Sequence, residues 1–262
     1  MFQKNPLTVA GTLDRCWLFT FQSPPEWAEA ILPPELAPVT HNGNAFWNIV
    51  VCHVDRMRPP GFPGWAGVSY WHVAYRLYVE FAPPGEAPIQ GLYFLRSDCS
   101  NPLMTAAGNV MTDFRFHTAR IGVNADDHTA AFNIDAPGGK GRAWLRRKAP
   151  ATLPDYSAFD TLDEAADFLK YKPYGISVDK RGAVNVVAIT RDEKAWRSRL
   201  VPVDEQKWDF FDDLPARPEI CYEVAPIEYR WNRGKVYTAA KRSNAGWIEE
   251  PSDLWDRRER LV

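Results

Sequence analysis

Three ionisable residues alternate with two phenylalanines near the middle of this 262-residue sequence. Because successive side chains of a β-strand point to opposite faces, a strand here places Asp113, Arg115 and His117 on one face and Phe114 and Phe116 on the other. Imidazole is the commonest general acid or base near neutral pH, and the planar guanidinium group suits a carboxylate. The segment therefore predicts a site for proton transfer on a small anionic compound.

A second polar strand face runs from Tyr70 to Phe81. Its odd-numbered positions are all apolar, whereas its even-numbered positions include His72, Arg76 and Tyr78. The odd face is therefore predicted to pack in the core. The even face has two open interpretations. Either it meets solvent, as in many antiparallel sheets, or it lines a cavity and converges with the first segment.

The elements around residue 100 must position these side chains. An apolar strand starts at Gly91, and Asn101 after it can accept hydrogen bonds from the free amides of a first helical turn. Pro102 suits the first helical position, so the predicted order is strand, helix, polar strand. Asp98 lies just before this helix, where it either stabilises the helix start through the macrodipole or assists catalysis.

Proline and glycine divide the rest of the chain into short segments. There are 22 prolines and 16 glycines, which is typical of strands joined by turns. Helices are predicted at 26–32, at 161–170, where Thr161 and Glu164 form a capping box, and at 204–212. Strands are predicted at 15–22, 45–57, 70–81, 90–97, 114–123, 128–134, 142–147, 172–178, 184–191 and 197–203.

Length and composition predict one domain spanning residues 1–262, with residues 228–262 as a C-terminal extension packed on it. Lys and Arg total 31 against 33 for Asp and Glu, so the net charge of −2 gives no reason to expect a nucleic acid partner. No apolar run reaches the roughly 20 residues of a membrane-spanning helix, and residues 1–11 lack a signal-peptide core. We expect a cytoplasmic protein that binds a small-molecule ligand and no membrane, and a homo-oligomer is left open.

Cofactor and metal motifs are missing from the sequence. The four cysteines are widely scattered without a Cys-x-x-Cys pair, and the five histidines show no metal-ligand spacing. Glycine-rich dinucleotide or phosphate loops and a Gly-x-Ser-x-Gly elbow are missing as well. We therefore expect no cofactor and no metal, and we expect the thiols to be reduced and buried.

Several short motifs follow one another in an order that resembles a known family. They are Leu32-Pro33-Pro34-Glu35-Leu36, the strand 45–57, Ala74-Tyr75-Arg76-Leu77-Tyr78-Val79, Gly91-Leu92-Tyr93-Phe94, Asp98, Asn101-Pro102, Ala119-Arg120 and the Asp179-Arg181-Gly182 turn. In this order the chain resembles the YqjF-like uncharacterised conserved family, an outlying branch of the acetoacetate decarboxylase-like superfamily. The resemblance covers roughly residues 12–210.

The resemblance implies an α+β fold, mainly antiparallel β, in which the strands form a closed or cone-like barrel around a central cavity with a few short helices. It does not imply decarboxylation. In the decarboxylase, a Gly-Phe-Pro-Lys-Lys segment supplies the lysine that forms an imine with the substrate, and the two lysine positions become Phe116 and His117 here. No lysine lies between Lys4 and Lys140, so classical acetoacetate decarboxylase activity is not expected.

Two functions from different classes remain open. The first is an enzyme that acts on a carbonyl or carboxylate compound in a lyase, hydratase or hydrolase type of step without a Schiff-base lysine. Its predicted catalytic residues are His117, His72 and Asp98, and its predicted substrate-binding residues are Arg76, Arg120, Arg115, Phe116 and Tyr78. The second is a non-catalytic protein of the same fold that binds a small metabolite, which the 11 tryptophans and 14 phenylalanines would suit. Each of these histidines and arginines also has a structural alternative, as a core histidine or an ion-pair partner.

Overall fold

The computed structural model describes residues 4–170 and 172–238. The strands are β1 (Val9–Ser23), β2 (Leu36–Pro38), β3 (Thr40–His41), β4 (Asn44–Arg58), β5 (Val68–Phe81), β6 (Ile89–Cys99), β7 (Phe116–Thr118), β8 (Arg120–Ala125), β9 (Thr129–Ala136), β10 (Gly139–Arg146), β11 (Tyr174–Val178), β12 (Val184–Arg191), β13 (Ser198–Leu200), β14 (Val203–Trp208), β15 (Arg217–Val224), β16 (Ile227–Trp231) and β17 (Lys235–Tyr237). The helices are α1 (Pro25–Ile31), α2 (Pro102–Met111) and α3 (Leu162–Leu169), and short 3₁₀ turns occupy Gly64–Ala66 and Asp209–Phe211.

Seven strands close into a ring. Antiparallel pairing runs from β1 through β4 and β5 to β6, and β11 then joins β6 in parallel. From β11, antiparallel pairing continues through β12 and β16 back to β1. Since β11 meets β6 at two residue pairs, the closure is irregular and the ring is not a true barrel.

A smaller sheet of β8, β9, β10 and β14 packs on the outside of the ring. Phe132 of β9 meets Trp17 and Phe19 of β1 edge-on, with ring centroids 4.9 and 5.5 Å apart. The odd-numbered residues of β5 from Val73 to Phe81 belong to this core, as the apolar alternation predicts. The even-numbered face of β5 therefore points into the ring.

Two helices contact the inside of the ring, and both begin at a side-chain cap. Asn101 accepts hydrogen bonds from the amides of Leu103 and Met104 at 2.9 and 3.2 Å, which fixes the start of α2. The Thr161 hydroxyl accepts from the Glu164 amide at 3.1 Å and starts α3. The capping signals in the sequence thus locate both helices correctly.

Two local features set the register of the ring strands. Asn42 and Gly43 have φ of 45° and 75° in the two-residue turn between β3 and β4, a left-handed conformation that asparagine and glycine adopt most readily. Between β5 and β6 the pairing shifts by one residue, because Tyr75 faces Arg96 whereas Arg76 faces Phe94. Leu95 is the extra residue of this β-bulge.

The predicted fold class is confirmed, and the helices predicted at 26–32, after Asn101 and at 161–170 are present at nearly the predicted bounds. The helix predicted at 204–212 is wrong, because Val203–Trp208 pairs with β10 as a strand and Trp208 packs on Gly141. The single strand predicted at 114–123 is also wrong. Arg115 has φ of 54°, so β7 begins one residue later, and Ala119 separates β7 from β8.

The C-terminal part of the chain supplies strands that the sequence did not predict, including the ring strand β16. β15 and β16 both pair with β1, and β17 pairs with β12. The predicted extension at 228–262 is described as far as residue 238, and Trp247 and Trp255 lie outside the described residues. Within the described ranges, none of the helices has the length and apolar character needed to span a bilayer.

Candidate functional site

The inside of the ring contains a cavity of about 160 Å³. Most of the residues in its wall are apolar. The aromatic ones are Phe94, Phe114, Phe116, Tyr70, Tyr229, Trp196 and Trp231. Helix α2 contributes Met104, Gly108 and Met111. Among the described residues that line this cavity, none is Lys, Asp or Glu.

The even-numbered face of β5 forms one wall of the cavity. Tyr70, His72, Ala74 and Arg76 all line it, whereas their odd-numbered neighbours pack against the smaller sheet. Of the two interpretations that the sequence left open for this face, the structure shows the cavity. The closed ring is the reason, since both faces of β5 are covered by other elements.

His72 lies against an aromatic ring inside the cavity. Its imidazole stacks on Phe116, with centroids 5.4 Å apart and an interplanar angle of 16°. Its Nε2 atom is buried and has no hydrogen-bond partner among the described residues. A buried polar nitrogen without a partner is costly, so a ligand that supplied a hydrogen bond here would be stabilised.

Arg76 places a positive charge in the same wall. Its side chain is 7% exposed, and its Nε donates a hydrogen bond of 2.8 Å to Oδ1 of Asn48 on β4. The guanidinium also lies over the Phe94 ring, 5.5 Å from the centroid. This buried guanidinium places a positive charge in the cavity wall, which favours an anionic ligand.

His117 and Asp98 do not join His72 and Arg76 in the cavity, contrary to the predicted convergence. They are neighbours in the parallel pairing of β6 and β7, on the outer face of the ring, and His117 Nδ1 lies 4.0 Å from Asp98 Oδ1. The bulge at Leu95 turns Asp98 to this face. Burial raises the pKa of the Asp98 carboxyl, although Arg96, which donates to it at 2.8 Å, opposes the shift.

The remaining predicted substrate-binding residues have different positions. Phe116 lines the cavity, whereas Arg115 points away from it and donates to the Leu95 carbonyl and the Tyr93 hydroxyl. Arg120 is exposed on β8 of the smaller sheet. Tyr78 is fully buried and does not line the cavity, and its hydroxyl donates to the Leu169 carbonyl at 2.6 Å. Burial raises the pKa of Tyr78 to about 12.

Asp113 was predicted on one strand face with Arg115 and His117, but it lies before β7 begins. The Asp113 carboxylate instead lies 3.2 Å from Lys4 Nζ. Lys4 also donates to main-chain carbonyls at the end of α2, including that of Thr112 at 3.2 Å. The left-handed conformation of Arg115 removes the strand geometry on which the prediction depended.

Three of the four cysteines lie in one row with His72, which sequence spacing did not reveal. Cross-strand pairing places Cys16 opposite Cys52, Cys52 opposite His72, and His72 opposite Cys99. The hydrogen bond with the Cys16 thiol and burial raise the pKa of Cys52, although a hydrogen bond with His72 opposes the shift, and burial raises the pKa of Cys99. Cys52 and Cys99 are therefore neutral thiols. No metal-binding cluster of three His, Cys, Asp or Glu residues occurs within the described ranges.

Sequence reasoning also missed Asn48, Tyr229 and Trp231. Asn48 is 1% exposed between apolar neighbours on β4, and this interruption of an apolar strand was a usable signal. Tyr229 and Trp231 line the cavity from β16. They were not identified because the C-terminal strands were not predicted.

A larger cleft of about 560 Å³ opens on the outer surface beside β1, β13 and β15. Its charged groups compensate one another, since Arg147 and Arg199 both pair with Glu223. The cleft also contains Asp14, Asp126 and Asp127 beside its arginines, so it has no dominant charge. The ring cavity, with its buried cation and unpartnered imidazole nitrogen, is the better candidate for a functional site.

Gly108 allows α2 to pack closely against the His72 and Phe116 pair. A Cβ atom at residue 108 would lie 2.5 Å from Cδ2 of Phe116, which is closer than two carbon atoms can approach. We expect Gly108→Ala to lower the free energy of unfolding by about 1–3 kcal/mol despite the better helix propensity of alanine, because the Phe116 ring is held from behind by His72. Chemical denaturation measures this change.

The matched control is Gly122→Ala on β8, where a new Cβ would be 3.7 Å from its nearest neighbour. We expect that variant to stay within about 0.5 kcal/mol of the parent protein. If Gly108→Ala is equally neutral, α2 is able to move away from the ring without cost, and the cavity is less rigid than its contacts indicate.

Comparisons with known proteins agree with this fold. The sequence matches the family DUF2071, uncharacterized conserved protein, over residues 11–218. The structure is similar to an acetoacetate decarboxylase-like enzyme from Sphingomonas wittichii RW1, with 11% identity and a TM-score of 0.58 over 90% of this chain and 95% of that chain. A search of the curated proteins gives no match.

Two further solved structures show the same similarity. Acetoacetate decarboxylase from Legionella pneumophila subsp. pneumophila str. Philadelphia 1 is 12% identical, with a TM-score of 0.57 over 87% of this chain and 86% of that chain. The enduracididine biosynthesis enzyme MppR, complexed with pyruvate, is 12% identical, with a TM-score of 0.55 over 90% of this chain and 91% of that chain. At such low identities the similarity shows a shared fold, and function has to be argued from the site.

Proposed function

Because this chain belongs to the DUF2071 family and has the acetoacetate decarboxylase-like fold, we propose that it is an enzyme acting on a small carbonyl or carboxylate compound in the ring cavity. The reaction is a lyase, hydratase or hydrolase type of step that proceeds by proton transfer and without an imine. One observation carries this proposal: His72 and Arg76 lie on the same strand face in the wall of one cavity.

Arg76 is the proposed anion-binding residue. A buried guanidinium in an apolar wall interacts strongly with a carboxylate, because little water screens the two charges. The hydrogen bond from Nε to Asn48 and the contact with Phe94 fix the plane of the group before a ligand arrives. A fixed plane lowers the conformational entropy that binding would otherwise cost.

His72 is the proposed general acid or base. Stacking on Phe116 fixes its ring, and its buried Nε2 lacks a partner among the described residues, so this atom can exchange a proton with a ligand. The sequence predicted His117, His72 and Asp98 as catalytic residues. Because His117 and Asp98 lie on the outer face of the ring, the proposal assigns this role to His72.

Borohydride trapping tests the absence of imine chemistry. None of the described residues that line the cavity is a lysine. Lys4 lies at the end of α2, where its ammonium group forms an ion pair with Asp113. We expect the mass of the protein to stay unchanged after incubation with acetoacetate or acetylacetone followed by borohydride, because an imine needs an amine in the cavity. Intact-protein mass spectrometry is the measurement.

Acetoacetate decarboxylase treated in the same way is the positive control. A stable reduced adduct on a lysine of this chain would contradict the proposal. Peptide mapping would then identify the amine that reaches the cavity.

A second candidate function is a non-catalytic metabolite-binding protein of the same fold. The observation in its favour is the aromatic and aliphatic character of most of the cavity wall, together with the position of His117 outside it. Thermal shift against keto acids, enoates and aromatic acids separates the two, because a ligand that binds the folded state stabilises it. Each stabilising compound is then incubated with the protein and followed by NMR. Conversion supports the enzyme, whereas stabilisation by compounds that all stay unchanged supports the binder.

A further inference from the structure

The dimensions of the cavity and the order of the groups along β5 narrow the class of ligand. We infer that the ligand is a single-ring aromatic monocarboxylic acid with a hydroxyl or carbonyl group on the side of the ring opposite to its carboxylate. This inference rests on the proposed function, since it concerns the same cavity.

The cavity volume limits the ligand to one ring. An engineered apolar cavity of roughly 150 Å³ in another protein stays dry and binds benzene, whereas pockets for drug-sized ligands start at roughly 300 Å³. The ring cavity has about 160 Å³. One six-membered ring with small substituents fills this volume, and a fused second ring would extend out of it.

The order of residues on β5 sets the two ends of the ligand. Alternate residues of a strand are about 7 Å apart, so the Cα atoms of His72 and Arg76 are separated by about 13 Å, with Ala74 midway between them. All three line the cavity, and the short Ala74 side chain packs against Phe94 and Phe114 at the base of the space between the two longer side chains. The Phe94 and Phe114 rings, stacked at 4.2 Å, border this space and suit a flat ligand.

Arg76 and His72 also determine which functional groups the two ends of the ligand carry. Arg76 is the one cationic residue among the described residues of the wall, so a second carboxylate on the ligand would be buried without a counter-charge. At the other end, the buried Nε2 of His72 needs a hydrogen-bond partner. A ligand hydroxyl both donates and accepts, so it can pair with either tautomer of the imidazole.

Isothermal titration of the full chain with five acids tests the inference. The probes are 4-hydroxybenzoate, benzoate, terephthalate, 2-naphthoate and acetoacetate. We expect 4-hydroxybenzoate to bind about three- to tenfold more tightly than benzoate, which is the effect of one neutral hydrogen bond. Terephthalate and 2-naphthoate are expected to bind at least about tenfold more weakly than benzoate, because one buries a second charge and the other exceeds the volume.

Two variants connect the result to the residues. His72→Phe keeps a ring against Phe116, and we expect it to remove the difference between 4-hydroxybenzoate and benzoate while both still bind. Ala74→Leu fills the space between His72 and Arg76, and we expect it to weaken benzoate at least about tenfold. Urea denaturation confirms that each variant is folded, and Ala74→Val replaces Ala74→Leu if the larger side chain prevents folding.

The outcomes separate this inference from the proposed function. Equal affinities for 4-hydroxybenzoate and benzoate, or 2-naphthoate binding as tightly as benzoate, would overturn the inference. Binding of acetoacetate without any aromatic acid would overturn it and leave the proposed function standing. If none of the five acids binds at millimolar concentration, the inference is overturned, and the thermal-shift screen against keto acids and enoates decides on the proposed function.

Discussion

Replacing His72 with glutamine is expected to lower kcat by about 10²- to 10⁴-fold on any substrate that the ligand screen identifies, because a positioned proton donor or acceptor contributes a factor of this size. Glutamine keeps a polar side chain at residue 72 on the even-numbered face of β5, so we expect the variant to fold. Steady-state kinetics give kcat, and KM is expected to change much less, since Arg76 still binds the anion.

Two other histidines make the measurement specific. His128→Gln changes an exposed residue between β8 and β9 and should leave kcat unchanged. His117→Gln tests the role that the sequence assigned to that residue. If His117→Gln loses activity and His72→Gln does not, the reaction takes place on the outer face of the ring and the cavity proposal is wrong.

Replacing Arg76 with lysine is expected to weaken ligand binding by about ten- to a hundredfold although the positive charge is kept. The ammonium group of lysine cannot reproduce the planar fork of donors, so at least one charged hydrogen bond of about 1.5–3 kcal/mol is lost. The hydrogen bond from Nε to Asn48 disappears as well, which removes the group that orients the side chain. Titration calorimetry with a stabilising acid measures the change in Kd.

The same substitution at Arg120 is the matched control. Arg120 is exposed on the smaller sheet and does not line the cavity, so Arg120→Lys should leave Kd unchanged. Denaturation curves of both variants exclude loss of the fold as the cause. If the parent protein and Arg76→Lys bind the acid with equal Kd, Arg76 does not bind the ligand and its role is structural.

Features that depend on interactions between neighbouring residues, such as helix starts and the buried face of a strand, were predicted correctly from the sequence. The cap at Asn101 and the cap at Thr161 place two helices within about a residue of their observed starts. The alternation along β5 predicts correctly which residues pack between the sheets. In each case the relevant contacts lie within one element or on one face of it, so neighbouring residues in the sequence carry the information.

Contacts between distant segments limited the prediction of the site. Cys16, Cys52 and Cys99 are far apart in sequence, and their common row with His72 follows from the register of four strands. The site was predicted on the ionisable face of the segment 113–117, but the cavity is lined by the opposite face, that of Phe114 and Phe116, whose alternation was predicted. The left-handed conformation of Arg115 between them was not predicted, because arginine at positive φ is uncommon and the residue type gives no signal for it.

The extra residue Leu95 decides which side chains of β6 face the cavity. In the observed pairing, Ser97 and Cys99 pair with Ala74 and His72, so uncharged side chains follow the bulge on the inward side. If Leu95 paired with Tyr75 and the bulge were lost, Arg96 would face Ala74 and Asp98 would face His72, so both would point inward. An ion pair would then stand beside His72 without any change of side-chain type at those positions. Among proteins with this fold, gain or loss of one bulge is thus a short evolutionary route between a mostly apolar pocket wall and a charged one.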